Sequence, residues 1–278
     1  MRRLLAAVLT LAMASPVAAD DDGPTELTKL MTAYDARGWE AVGRLNIGFG
    51  GMCTGALIAP NLVLTAGHCL YSSRTGKQVD PTSIEFLAGW RNGSASAKRR
   101  VRRAVIHSQY KYTGPTGNET VAYDLAILQL DSDIRLPHIQ PFPTGKRPRK
   151  GASVGVVSYA RNRADSPSIQ EVCHVLARRN GALVLSCDVD YGSSGAPIFA
   201  EIDGMPQIVS VVSAIADIGE RRVSLGTNLQ KPLAEMMAIL ESGGGITTAP
   251  AATAARRVTP NAPRVLRGGG GGAKFLKP

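Results

Sequence analysis

Twelve short apolar runs, each bounded by Gly, Pro, Asn, Asp or another turn former, follow one another along most of this 278-residue chain. Six precede a Pro-rich, basic stretch at Leu136–Lys150: Ala41–Ile47, Gly55–Ile58, Leu62–Thr65, Ile84–Trp90, Val101–Ile106 and Leu125–Leu130. Six follow it: Ser153–Tyr159, Gln170–Leu176, Ala182–Cys187, Ala196–Ala200, Gln207–Ile215 and Val223–Leu229. Runs this short, separated by turn residues, have the length and punctuation of antiparallel strands rather than of helices. The chain is therefore expected to form two β-rich halves, residues 39–135 and 151–242, joined by a connector at 136–150. Pro232–Ser242 alone has a helical period, with Leu233, Met236, Met237 and Leu240 on one face, and is expected to be a terminal helix packed against one half.

The two ends have a different character. Met1-Arg2-Arg3, the apolar stretch Leu4–Met13 and the small residues Val17-Ala18-Ala19 have the pattern of a secretory signal peptide over residues 1–19. That stretch is about half of the roughly 20 apolar residues that cross a bilayer, and no later run approaches this length, so no transmembrane segment is expected. Residues 20–38 are polar and acidic, as in an N-terminal extension or propeptide. From Gly243 the composition turns to Gly, Ala, Thr, Pro and Arg, which identifies 243–278 as a disordered basic tail.

The formal charge of +10 suggests a nucleic-acid partner until it is located. Arg2 and Arg3 lie in the leader, and Arg256, Arg257, Arg264, Arg267, Lys274 and Lys277 lie in the tail, so the stretch between is close to neutral. The cluster Lys98-Arg99-Arg100-Val101-Arg102-Arg103 has no interleaved aromatics and suits a solvated strand face. No specific nucleic-acid partner is expected.

The four cysteines, Cys53, Cys69, Cys173 and Cys187, form two local pairs without the Cys-x-x-Cys spacing of a zinc or thioredoxin-like site. Two structural disulfides fit an exported protein better, each closing a loop of about 15 residues and worth about 3 kcal/mol. No metal and no organic cofactor is implied.

Three local sequences carry chemistry: Leu64-Thr65-Ala66-Gly67-His68-Cys69, Tyr123-Asp124-Leu125-Ala126-Ile127-Leu128 and Gly192-Ser193-Ser194-Gly195-Ala196-Pro197. A serine hydroxyl becomes a nucleophile when an imidazole takes its proton, and the imidazole needs a carboxylate to fix its tautomer. One His, one Asp and one Ser stand in that chain order. The glycine-rich turn would let the N–H groups of Gly192 and Ser194 converge on a developing oxyanion. His107, His138 and His174 are expected to be structural or surface residues.

With these residues in view, the stretch from about Ala41 to Leu240 resembles a chymotrypsin-fold serine endopeptidase of the bacterial secreted branch that includes the glutamyl endopeptidases. The stretch CTGALIAPNLVLTAGHC is similar to that family's disulfide-bridged loop leading to its histidine, and CDVDYGSSGAP to the bacterial form of its serine segment. The resemblance implies an all-β fold of two packed six-stranded antiparallel β-barrels with a C-terminal helix. It implies catalytic roles for His68, Asp124 and Ser194, an oxyanion hole at Gly192 and Ser194, and disulfides Cys53–Cys69 and Cys173–Cys187. It implies a monomer, secreted or periplasmic, that acts on polypeptides. Where animal relatives carry an Asp that pairs with a newly cut N-terminal amine, this chain has Ser193, so activation by such a cut is not expected.

Asp188 and Ser213 are the candidate substrate-binding residues. Asp188 falls where trypsin-like enzymes hold a buried acid that selects Arg or Lys, or else it braces the loop; both roles remain open. Glutamyl specificity is disfavoured because no His follows His174, although Arg221 and Arg222 offer charge. Two alternatives to an active endopeptidase stand beside this reading, a catalytically silent binding protein of the same fold and a latent precursor that needs N-terminal cleavage.

Overall fold

The computed structural model describes residues 23–48, 50–114 and 121–247. The expected leader at 1–19 and nearly all of the expected tail lie outside them. Thirteen strands and one helix form: β1 (Thr28–Lys29), β2 (Val42–Ile47), β3 (Gly51–Ala59), β4 (Leu62–Thr65), β5 (Glu85–Ala88), β6 (Ala97–Ile106), β7 (Ala126–Leu130), β8 (Ser153–Ala160), β9 (Arg163–Arg179), β10 (Ala182–Leu185), β11 (Pro197–Ile202), β12 (Met205–Ile218), β13 (Arg221–Gly226) and α1 (Gln230–Glu241).

β2 to β7 close into a six-stranded barrel in the order β2-β3-β4-β7-β6-β5, every pairing antiparallel. The second half is a seven-stranded sheet, β1-β9-β10-β13-β12-β11-β8, in which β9 also pairs with β8. Its six later strands thus return on themselves, and β1 is an addition to the expected six. That strand comes from the segment expected to be a separate N-terminal extension. Thr28 and Lys29 pair with Ile169 and Ser168 of β9, and the Thr25 N–H donates to the Val172 carbonyl at 2.9 Å.

Period-two alternation determines where the cores lie. In β8, Val154 and Val156 point into the second barrel's core, while Val157 and Tyr159 join the larger core built on the first barrel. In β12 a register shift opposite Ile198–Phe199 breaks the alternation, so that Val209 and Val212 join the second barrel's core and Ile208 and Val211 the larger one. Between the two halves an aromatic triangle forms from Trp39, Phe142 and Phe199, with ring centroids 4.7–5.8 Å apart. Phe142 belongs to the connector, which is stitched to both sides: its N–H donates to Leu57 of β3, and Ile208 of β12 donates to Pro143.

α1 packs on the first barrel rather than on the second from which it emerges, burying Leu233, Met236 and Leu240 there. The Arg103 guanidinium donates to the Leu240 carbonyl at 3.2 Å, and the buried His107 holds Glu235 of the helix at 2.8 Å. The expected start of the disordered tail is corrected in the same region: Ile246 exchanges both main-chain hydrogen bonds with Ala104 of β6. Both disulfides are formed, Cys53–Cys69 in the first barrel and Cys173–Cys187 in the second.

Trp39→Ala removes the centre of the inter-barrel aromatic triangle. A loss of about 3 kcal/mol is expected in urea unfolding followed by fluorescence of the remaining tryptophan.

Candidate active site

Gly67–Leu70 forms a single 3-10 turn directly after β4, and that turn carries His68 at the barrel rim. A second short turn, Val121–Tyr123, ends at Asp124 just before β7, the strand paired with β4. The pairing of Thr65 with Ala126 brings the two turns together. Asp124 Oδ1 accepts the His68 main-chain N–H at 2.8 Å, and Oδ2 contacts His68 Nδ1 at 2.7 Å. Glycine at position 67 eases this close approach, since a Cβ there would lie 3.2 Å from both Asp124 Oδ1 and the Tyr110 ring.

Asp124 is 3% exposed, and a carboxylate so deeply buried must collect hydrogen bonds. The third comes from the other barrel, where the Ser213 hydroxyl donates to Oδ2 at 2.5 Å. A carboxylate only accepts, so His68 Nδ1 carries the proton in this arrangement and Nε2 is left as an acceptor. Burial disfavours the charged imidazole of His68. The charge of Asp124 and its hydrogen bond outweigh that, and the pKa is raised above the ordinary histidine value of about 6.5.

Ser194 is bonded to this side of the molecule through its main chain. Its carbonyl accepts the Thr54 N–H at 2.8 Å, and Thr54 follows Cys53, whose disulfide partner Cys69 follows His68. The next residue, Gly195, lies against Thr54, Thr65 and Ala66 with no room for a Cβ, and its φ of 79° is one that side chains rarely adopt. Within the turn, Ser193 N–H donates to Asp190 and Gly195 N–H to Val212. The N–H groups of Gly192 and Ser194 have no acceptor among the described residues. Gly192 has φ 100°, a left-handed conformation, and a Cβ on it would collide with Met52.

Both candidate substrate-binding residues have contacts within the protein. Ser213 is 8% exposed and its hydroxyl is committed to Asp124, so its side chain supports the carboxylate. Asp188 is exposed rather than buried, and its main-chain N–H is tied to Gln170 Oε1 at 2.7 Å. Arg221 and Arg222 are exposed as well, and Arg222 lies 3.9 Å from Asp190. His107 is buried and stacks on Tyr123 at 5.0 Å, while His138 is exposed. Among the described residues one set of His and Cys atoms lies close enough to share a metal ion, Cys53, His68 and Cys69, but both sulfurs are locked in a disulfide and offer no thiolate.

Comparison with known proteins gives the family of this fold. The family model described as Trypsin matches residues 32–222. The chain belongs to the trypsin family. Among curated relatives, Serine protease 23 of Mus musculus is 27% identical over an alignment of 175 residues that covers 56% of this chain and 44% of that protein. The chain thus spans about half the length of that relative. Lectizyme of Glossina austeni is 23% identical over 249 residues, covering 74% of this chain and 85% of its own. Among solved structures, a Glu endopeptidase in complex with MPD superposes with a TM-score of 0.62 at 21% identity, covering 81% of this chain and all of that one, a likeness of fold.

Sequence reasoning missed Thr54 and Arg163, both of which hold the serine turn. Thr54 stands beside Cys53 and was in principle legible there. Arg163, in the polar run Arg161-Asn162-Arg163-Ala164-Asp165, gives no sign in the sequence that it is buried.

A raised folded pKa means that the His68–Asp124 pair stabilises the fold fully below about pH 6.5 and loses that contribution as pH rises through the raised value. NMR titration of the His68 ring is expected to give a midpoint above the ordinary value. Asp124→Ala removes both raising influences and leaves burial, so the midpoint is expected to fall below it.

Proposed function

We propose that the chain is a secreted serine endopeptidase that cleaves polypeptides through an acyl-enzyme, with no metal or organic cofactor. The supporting observation is the buried Asp124 that holds the Nδ1 proton of His68, which leaves Nε2 to act as a base. In this reading Ser194 Oγ attacks the scissile carbonyl carbon while His68 Nε2 takes its proton. The carbonyl oxygen becomes an oxyanion and accepts the unclaimed N–H groups of Gly192 and Ser194. His68 then gives its proton to the leaving amine as the C–N bond breaks. Water, deprotonated by His68, attacks the acyl carbon, and His68 returns that proton to Ser194 Oγ as the acyl C–O bond breaks and the acid leaves.

The leader at 1–19 and the two disulfides support export. No helix among the described residues is long and apolar enough to cross a membrane. A bacterial source and kinship with glutamyl endopeptidases rest on the sequence segments CTGALIAPNLVLTAGHC and CDVDYGSSGAP alone. Preference for a basic residue would rest on Asp188. Its carboxylate is exposed, and a peptide library with Arg, Lys, Glu and small residues at the cleavage position decides between pocket acid and loop brace.

The test is labelling of the purified protein with a fluorophosphonate probe, read by mass spectrometry. Modification of Ser194 that both Ser194→Ala and His68→Ala abolish is expected, and an unlabelled wild type would sink the proposal. On a peptide substrate, kcat/KM is expected to fall as pH drops through a value above 6.5, where His68 gains its second proton. A rate that stays flat from about pH 8 to pH 5 would contradict the role of His68.

A further inference from the structure

Arg163 begins β9 and is 8% exposed, a rare burial for a guanidinium. Nη1 donates to the Ser158 carbonyl at 2.6 Å, and Nη2 donates to the Ser158 hydroxyl at 3.0 Å and to the Ser193 hydroxyl at 3.2 Å. Arg163 has no carboxylate within ion-pair distance among the described residues. Burial lowers its pKa, and the charges of Asp188 and Asp190 act against that from further off. A desolvated cation with no ion-pair partner is costly, and what it receives in return is a set of oxygen acceptors on one hairpin and one turn.

Ser193 is where these bonds meet. It is completely buried, and its hydroxyl accepts the Asp190 N–H at 3.3 Å as well as Arg163. Its own proton has the Tyr159 carbonyl at 3.2 Å and the Ser158 hydroxyl at 3.3 Å as alternative acceptors. The flanking residues are fixed from the same hairpin and from β3. The Arg161 N–H donates to the Tyr191 carbonyl at 2.7 Å, and the Thr54 hydroxyl donates to the Gly192 carbonyl at 3.0 Å. The residue so clamped lies between Gly192 and Ser194, whose N–H groups are the unclaimed pair. The side chain at 193 therefore fixes the peptide unit that carries the Ser194 N–H, and the bond from Arg161 to the Tyr191 carbonyl fixes the unit that carries the Gly192 N–H.

We infer that Arg163 is a positioning residue: through the Ser193 hydroxyl it holds the Gly192–Ser194 turn with its two free N–H groups convergent, ready to receive an oxyanion. The hydrogen-bonded clamp stands by itself, and the convergence of the two N–H groups and its catalytic consequence rest on the endopeptidase reading. The clamp consists of the hairpin joining β8 and β9, Thr54 of β3 and the turn, so it needs no chain terminus. Cleavage between residues 23 and 38 is not required to order this turn, which separates this chain from a precursor whose turn forms after a cut.

The test compares Arg163→Met, Arg163→Lys, Ser193→Ala and the double variant Arg163→Met/Ser193→Ala in the uncut chain. Amide hydrogen exchange over residues 190–195, Ser194 labelling rate, and kcat and KM on a peptide substrate are measured, with thermal melting as the check on folding. In Arg163→Met, exchange in 190–195 is expected to quicken while β10 to β13 keep their protection. Labelling and kcat are expected to fall by about ten- to a hundredfold, with KM changed by less than about threefold. Arg163→Lys is expected to recover little, because one ammonium cannot span Ser158 and Ser193 in the planar fork of a guanidinium. Losses in the double variant are expected to match the larger single loss, since the two residues act as one unit.

Unchanged exchange and labelling in a folded Arg163→Met, or additive losses in the double variant, would overturn the inference. Should Arg163→Met fail to fold, Ser193→Ala decides: quickened exchange at 190–195 supports the clamp and unchanged exchange overturns it. Should the wild type resist labelling, the endopeptidase reading falls, and exchange at 190–195 still judges the clamp by the same two outcomes.

Discussion

A carboxylate that has lost its water is the point from which much of this molecule is organised. Asp124 is almost fully enclosed, so its two oxygens must find donors in the protein, and they find three: the main chain and ring of His68, and the hydroxyl of Ser213. His68 belongs to the first barrel and Ser213 to the second. The requirement to satisfy one buried charge therefore joins the two halves at the site, as the aromatic triangle of Trp39, Phe142 and Phe199 joins them away from it. The same bonds fix the imidazole tautomer. Structural necessity and chemical readiness are here a single set of contacts.

The serine turn is built by a different principle. No charge is buried on the turn itself, and its geometry comes from left-handed glycines at 192 and 195 together with donors brought from outside. Thr54 serves twice, its N–H to the Ser194 carbonyl and its hydroxyl to the Gly192 carbonyl. Because Cys53 is its neighbour, the disulfide to Cys69 links the backbone beside His68 to the backbone that holds the serine turn. A change in one half of the site is thus felt through covalent and hydrogen-bonded links in the other.

Much of this was legible in the sequence because it depends on local pattern. All twelve apolar runs became strands, and the helical period at Pro232–Ser242 became α1, since alternation and turn residues act over a few positions. The His68, Asp124 and Ser194 segments announced themselves by unusual local composition. What stayed hidden was contact between remote segments. Thr28–Lys29 has too little apolar pattern to read as a strand and is one because β9 offers a partner. Ile246 reads as the start of a flexible tail and is held by Ala104. Asp188 aligned with a pocket acid in an ungapped comparison, yet the main-chain path that ties it to Gln170 leaves it exposed. Burial of Arg163 follows from the fold of a hairpin that no count of charges reveals.

The pairing of β1 with β9 carries a consequence for association. On the side where β1 lies, the stretch Ser168–Ile169 has its N–H and C=O groups covered by a two-residue strand, while β10 reaches β9 only from Val175 onward. An uncovered stretch of this kind is a template on which another extended chain adds itself. The short acidic-to-polar segment before Trp39 therefore acts as a guard of that edge: a molecule trimmed beyond Lys29 would present an open ladder to its neighbours, and its colloidal behaviour would change even with the site untouched.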